Sequence, residues 1–244
     1  YAAVEVARKE KLNINFSSRS LYNYIHQYNY PITGEQLPMK NKRKKGKKSS
    51  SARLAHNNVK GDSIEKRPSE INERNEAGHW EMDLVVGAKG GKKVLLVLTE
   101  RKTRYEYIVL LKDKSQKSVI QALNKMERQY GARLFRETFK SITCDNGSEF
   151  LDSQSLEKSL FNKTNRTKLY YAHPFSSFER GSNENANRFI RRILPKKTTF
   201  DTLTQNDINS MAEWMNRYPR RIFNGQSART KARLENLHFI KFAA

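Results

Sequence analysis

Cysteine occurs once, at Cys144, in a chain of 244 residues. That count excludes an intrachain disulfide framework and any cysteine-rich zinc site, and it fits a reducing intracellular compartment. No apolar run approaches the roughly 20 residues a bilayer-crossing helix needs. No secretory signal is expected from these residues, and no internal repeat is visible in them. The opening YAAVEV also lacks an initiator methionine, so the natural N-terminus is expected further upstream. Acids are scarce as well: 25 Asp and Glu face 47 Lys and Arg, a net charge of +22. Such an excess speaks of partners and not of fold, and the commonest polyanionic partner is nucleic acid.

Residues 2–10 read as a short helix, and SSRSLYNYIHQYN as a second one capped by Ser17 or Ser18. Leu21 and Ile25 fall four apart and would pack inward, leaving Arg19, Asn23 and His26 on a polar face. Two short helices across a tight turn suit a helix-turn-helix, and an ordinary helical hairpin suits the pattern equally. Next, seven basic residues stand among positions 40–48, and no acid occurs between Glu35 and Asp62. That block repels itself and has little to bury, so an extended linker able to neutralise phosphates is expected.

From Trp80 the pattern turns globular. Strands are expected at 80–88, 92–99 and 103–111, then a helix at about 115–130 striped by Val119, Leu123 and Met126. SITCD (141–145) and TKLYYA (167–172) read as strands, and GSNENANRFIRRIL (181–194) as a helix. Thr204 and Asp207 resemble a capping box, and a last short helix is expected around 227–237. Strands followed by alternating helices and strands make an α/β layer fold.

Within this frame three acids stand out. Asp83 lies mid-strand, with Trp80, Met82, Leu84 and Val86 on the opposite face. An unpaired carboxylate there would be costly, so it is either solvated or held for a purpose. Asp145 ends a strand before the turn pair Asn146-Gly147. Glu184 opens a helix with two faces. Ala186, Phe189, Ile190 and Ile193 form the core stripe, and Glu184, Asn187, Arg188 and Arg191 form a second stripe suited to metal and phosphate. Three oxygen donors with no Cys or His cluster point to Mg²⁺ or Mn²⁺. Solvated strand-end acids are the alternative.

The blocks GHWEMDLVVG, CDNGSEF and HPFSSFERGSNENANRFIRRILPKKTTF closely resemble those of bacterial insertion-sequence transposases of the IS-thirty family. INFSSRSLYNYIHQ, KGDSIEKRPSEINER and MNRYPRRIFNGQSARTKARLE extend the likeness over nearly the whole chain. The resemblance implies a ribonuclease H-like mixed sheet flanked by helices, with a small N-terminal helix-turn-helix domain and a C-terminal helical extension. The implied domains are a DNA-binding domain at 1–36, truncated at its N-terminus, a basic linker at 37–74, a catalytic core at 75–200 and the extension at 201–244. It further implies a DDE triad of Asp83, Asp145 and Glu184 that holds two Mg²⁺ or Mn²⁺ ions.

The expected partners are double-stranded transposon ends and target DNA, met by a homodimer or larger assembly in the bacterial cytoplasm at the nucleoid. DNA contacts are expected from Arg19, Asn23, Lys42, Arg43, Lys44, Lys45, Lys47, Lys48, Asn187, Arg188, Arg191, Lys196 and Lys197, with Asn183 orienting the Glu or touching DNA. Met82 stands where the family usually has Gly, His173 where it often has Asp, and 153–166 reads as a surface insertion. Glu179 is the rival to Glu184. Glu81 and Glu149 are solvated or support the acids, His79 is satisfied beside Trp80, Cys144 is a buried strand residue, and Trp214 and Met215 are core or dimer contacts. The competing functions are a non-catalytic DNA-binding regulator and a structure-specific nuclease of the same fold.

Overall fold

The computed structural model describes residues 2–27, 31–32, 61–174, 176, 179 and 181–238. Two compact units divide the chain: Tyr1–Leu54 with Tyr218–Ser227, and Ala55–Arg217 with Ala228–Ala244. Lys42, Arg43, Lys44, Lys45, Lys47 and Lys48 lie outside the described residues.

The first unit holds α1 (Ala2–Lys9) and α2 (Ser18–Gln27). Ser17 Oγ accepts from the Ser20 N–H at 3.1 Å, which satisfies an otherwise orphaned first-turn donor of α2. Leu21 and Ile25 are half-buried, whereas Arg19, Asn23 and His26 are exposed. The connection between the helices, residues 10–17, is longer than the roughly 3–4 residues of a helix-turn-helix turn. Two helices with a polar face are therefore present, without the tight turn. Lys9 Nζ donates to the Gly225 carbonyl at 2.9 Å within the same unit.

The second unit is built on a five-stranded mixed sheet. After α3 (Ser69–Glu73) come β1 (His79–Val86), β2 (Val94–Glu100) and β3 (Glu106–Leu111), then α4 (Gln116–Tyr130), α5 (Ala132–Thr138), β4 (Ser141–Cys144), α6 (Ser153–Glu157) and β5 (Lys168–Tyr171). The chain continues through α7 (Gly181–Ile193), α8 (Gln205–Arg217) and α9 (Ala228–Leu234). The strand order is β3-β2-β1-β4-β5. β1 is antiparallel to β2 and parallel to β4. No helix among the described residues is long and apolar enough to cross a membrane.

Alternation along β1 sorts its side chains. Trp80 and Met82 join Leu96, Leu98, Tyr107, Leu123, Met126, Phe135 and Phe139 in one apolar core, with Leu84 packed against it. The Trp80 and Phe139 rings lie 4.8 Å apart, and the Trp80 indole N–H donates to the Thr138 carbonyl at 2.7 Å. The odd-numbered residues of β1 face the other way, where α7 packs on β1 and β2. Ser115 caps α4 as its side chain accepts from the Ser118 N–H. The expected Thr204–Asp207 box caps α8, with Thr204 N–H donating to Asp207 at 2.8 Å and Asp207 N–H to Thr204 at 3.3 Å.

Both sheet edges are closed, which removes the unpaired ladder groups an edge would offer. On β3 the Glu106 N–H donates to Asn216 (2.8 Å) and the Leu110 N–H to Gln205 (2.8 Å), both from α8. On β5 the Tyr171 N–H donates to the Asp62 carbonyl at 2.8 Å. The 153–166 segment, expected as a surface insertion, is exposed throughout 160–165 and buried at its ends. Leu156 is 1% exposed and Arg166 fully buried, although Phe161 is exposed.

Candidate functional site

β1 and β4 run parallel, and their register pairs Glu81 with Thr143. Two residues further along each chain stand Asp83 and Asp145, each half-buried. Because side chains repeat every two residues along a strand, Asp83 is turned to the same face as Glu81, on which α7 lies, and Asp145 directly follows the end of β4. Gly147 N–H donates to Asp145 Oδ1 at 3.0 Å, a local turn that orients the carboxylate. A Cβ on Gly147 would stand 2.8 Å from the Glu149 carboxyl carbon and 2.9 Å from Asp145 Oδ1, so a side chain here would push on both carboxylates. Glu149 is itself buried and 3.4 Å from Lys114.

α7 is fastened along β1 at three points. At its N-terminus, Glu81 Oε2 accepts the Ser182 and Asn183 N–H groups, both at 3.0 Å. In the middle, Asn187 Nδ2 donates to Asp83 Oδ2 at 2.8 Å. Further on, Arg191 donates to the Val86 carbonyl at 2.6 Å. Glu81 is fully buried, and its other oxygen accepts from Arg101 at 2.8 Å. A neighbouring arginine, Arg67, donates to Thr143 Oγ1 at 2.9 Å; burial, aided by the Arg101 charge, pushes its pKa down to about 10. This side of the molecule also keeps unmet polar valence. Both side-chain polar atoms of Asn183, Oδ1 of Asn187 and one guanidinium nitrogen of Arg191 are buried without a hydrogen-bond partner among the described residues. They fall at every fourth residue, on one stripe.

Glu184 lies in the first turn of α7, one turn before Asn187, and is exposed. The structure thus places Asp83 within β1 and Asp145 just past the end of the neighbouring β4, and sets Glu184's helix across Asp83. Among the described residues, no three of His, Cys, Asp and Glu close on a common point suited to a metal ion. The donor set is carboxylate and amide oxygen throughout, which fits hard divalent cations. Glu184 is exposed, whereas Asp83 and Asp145 are half-buried.

The remaining sequence candidates fall as follows. Arg188, Lys196 and Lys197 are exposed, and Asn187 and Arg191 point to β1. Glu179 holds His173 at 2.8 Å, and its carboxylate raises the His173 pKa above the ordinary 6.5. His79 bonds Ser141 Oγ at 2.8 Å and Glu76 at 3.2 Å; burial lowers its pKa. Cys144 and Met215 are buried, whereas Trp214 is 42% exposed and packs on Phe189 at 6.1 Å. Sequence reasoning left Glu81 between a solvated and a supporting role and did not single out Arg101. The signal for Glu81 was its spacing: it stands two residues before Asp83, on the same face of a strand that buries the other.

Comparison with known proteins supplies the family. Residues 73–177 match the integrase core domain. A probable transposase for the insertion-like sequence element IS1161 of Streptococcus salivarius is 38% identical over 214 residues, 87% of this chain and 57% of that protein. Transposase InsI for insertion sequence element IS30A of Escherichia coli K12 is 38% identical over 165 residues, 68% of this chain and 40% of that protein. The chain therefore spans about half the length of these relatives. A chain from the cryoEM structure of the simian T-cell lymphotropic virus intasome, in complex with PP2A regulatory subunit B56 gamma, aligns with a TM-score of 0.51 and 16% identity. That alignment covers 69% of this chain and 59% of the other. It is a likeness of fold, and it agrees with the ribonuclease H-like mixed sheet.

Proposed function

This chain belongs to the IS30-type family of insertion-sequence transposases and carries their integrase core, and on that footing we propose that it cleaves and joins DNA ends. The observation that supports this reading is Asp83 on β1 and Asp145 directly after the parallel strand β4, with α7 fastened across Asp83 by Asn187. Asp83, Asp145 and Glu184 would hold Mg²⁺ or Mn²⁺, two ions per site. When bound, such ions supply charge stabilisation and activation of an attacking oxygen in phosphodiester displacement. Asn187 keeps the Asp83 carboxylate oriented, and Gly147 does the same for Asp145. Exposed Arg188, Lys196 and Lys197 are suited to phosphates beside the cut, whereas Arg191, tied to Val86, stiffens the strand end.

Residues 1–36 would bind the terminal inverted repeats, using Arg19 and Asn23. The 37–74 segment, with Lys42, Arg43, Lys44, Lys45, Lys47 and Lys48, would neutralise backbone charge. Residues 75–200 form the reacting core and 201–244 its helical extension. A homodimer or larger assembly brings two ends together in the bacterial cytoplasm.

The test is a cleavage-and-joining assay on end-sequence duplex with and without Mg²⁺. Wild type joins ends in Mg²⁺, and Glu184→Gln binds the duplex without joining it. Joining that survives Glu184→Gln removes that residue from the reaction. The exposure of Glu184 favours one second reading, a non-catalytic DNA-binding regulator, whose activity Asp145→Ala would leave unchanged.

A further inference from the structure

We propose that Glu81 is a positioning residue: it fixes the first turn of α7 to β1 and so determines where Glu184 stands relative to Asp83. The inference rests on reading Asp83, Asp145 and Glu184 as the acids of the site. Its own support is geometric. A fully buried carboxylate in the middle of a sheet is expensive unless every oxygen is used. Glu81 uses both. One oxygen takes the two N–H groups directly preceding Glu184 in the chain, each at 3.0 Å. These are first-turn donors that an α-helix cannot satisfy internally, at the end where its dipole favours an anion.

The other oxygen is held by Arg101 at 2.8 Å, so the carboxylate cannot swing away. Arg101 is in turn pinned, its backbone N–H donating to the His79 carbonyl at 2.8 Å. Arg104 adds a bond to Ser182 Oγ. The acid two residues before Asp83 therefore grips the turn that carries Glu184. One strand sets both acids, and the spacing between them becomes a property of β1.

An ordinary stabilising ion pair is the competing account, and the two differ in what survives removal of the whole pair. Buried pairs replaced by apolar residues of similar volume often leave stability unchanged or improved. The double variant Glu81→Met/Arg101→Met of the full chain is the test. It is compared with wild type and Glu184→Gln for thermal unfolding, end-duplex binding, amide hydrogen exchange at Ser182 and Asn183, Mn²⁺ affinity by electron paramagnetic resonance, and joining.

The expected result is a folded protein that binds duplex as wild type does, with faster exchange at both amides. Mn²⁺ affinity and joining should fall by about 10-fold or more, the usual effect of losing a group that orients a metal ligand. Wild-type Mn²⁺ affinity and joining in the double variant overturn the positioning role alone. A wild type that neither joins ends nor loses Mn²⁺ affinity on Glu184→Gln overturns the parent reading, and the positioning role with it. Should the double variant not fold, Glu81→Gln keeps one oxygen for the amides. It must then give an intermediate loss of Mn²⁺ affinity, and an unchanged affinity overturns the proposal.

Discussion

Two buried glutamate–arginine pairs sit in the same unit, and they differ in completeness. Glu127 and Arg166 are both fully buried and 3.3 Å apart. Arg166 also donates to the carbonyls of Leu156 (2.8 Å) and Ser155 (3.1 Å) and to Asn124, while Glu127 accepts from Ser159 and Leu160. No side-chain polar atom of that pair is unpartnered. Beside Glu81 and Arg101, by contrast, one Arg101 nitrogen, the whole Asn183 amide and an Asn187 oxygen are buried without partners among the described residues. A polar cluster that serves only the fold is expected to be satisfied, because each orphan costs about 1–3 kcal/mol. The incomplete one lies where α7 crosses Asp83, and sites that trade stability for function are where such exceptions gather.

The largest effect expected from this contrast is on chemistry. Asp145→Asn should reduce joining by more than about a thousandfold, as loss of a reacting group does, while duplex binding and thermal midpoint stay near wild type. A variant that unfolds instead would make Asp145 a fold residue and erase the distinction. On the complete side the effect should be on stability. Arg166→Met strands the Glu127 charge and should cost about 3–5 kcal/mol in urea unfolding, with most of that recovered in Glu127→Met/Arg166→Met. Equal stability of Arg166→Met and wild type would refute a stabilising role for the Glu127–Arg166 pair.

A smaller effect should join the two kinds of readout. Gly147 has φ −59, so alanine meets no backbone objection, only the contacts with Glu149 and Asp145. Gly147→Ala should cost about 1–3 kcal/mol through overpacking and slow joining, because the atom displaced is the Asp145 carboxylate. Unchanged joining with lowered stability would assign the glycine to packing alone.

How much of this was readable beforehand follows the range of the interactions. β1 to β3, α4, α7 and α8 announce themselves by local periodicity, and the Thr204–Asp207 box by spacing. α5 has only seven residues, too few for a periodic stripe to mark it in the sequence. Ile193 was assigned to the core stripe of α7, yet it is 43% exposed in the helix's last position. The second stripe divides: Asn187 and Arg191 turn to β1, whereas Glu184 and Arg188 stay outside. Arg166 reads as a surface residue because its partner lies 39 positions away. Glu81 gripping α7 spans a separation of 101 and 102 positions, which no local pattern encodes.

The smallest effect concerns the exposed His173, which the backbone register of β5 leaves just beyond the strand. Glu179 bonds both its ring and its backbone N–H, at 2.8 and 2.9 Å, and Glu65 lies 3.3 Å from its other nitrogen. The Glu179 carboxylate raises the folded-state pKa above 6.5, so the proton is held more tightly when the chain is folded. The resulting stability is fully present below the unfolded value and is lost as pH rises through the raised one. Thermal midpoints from pH 5.5 to 8.5 should therefore decline in wild type by a small increment that His173→Gln lacks. Solvent screening keeps the increment small. An identical pH profile in the variant would detach this pair from stability, leaving the buried pairs as the only charged contacts in the comparison that matter to the fold.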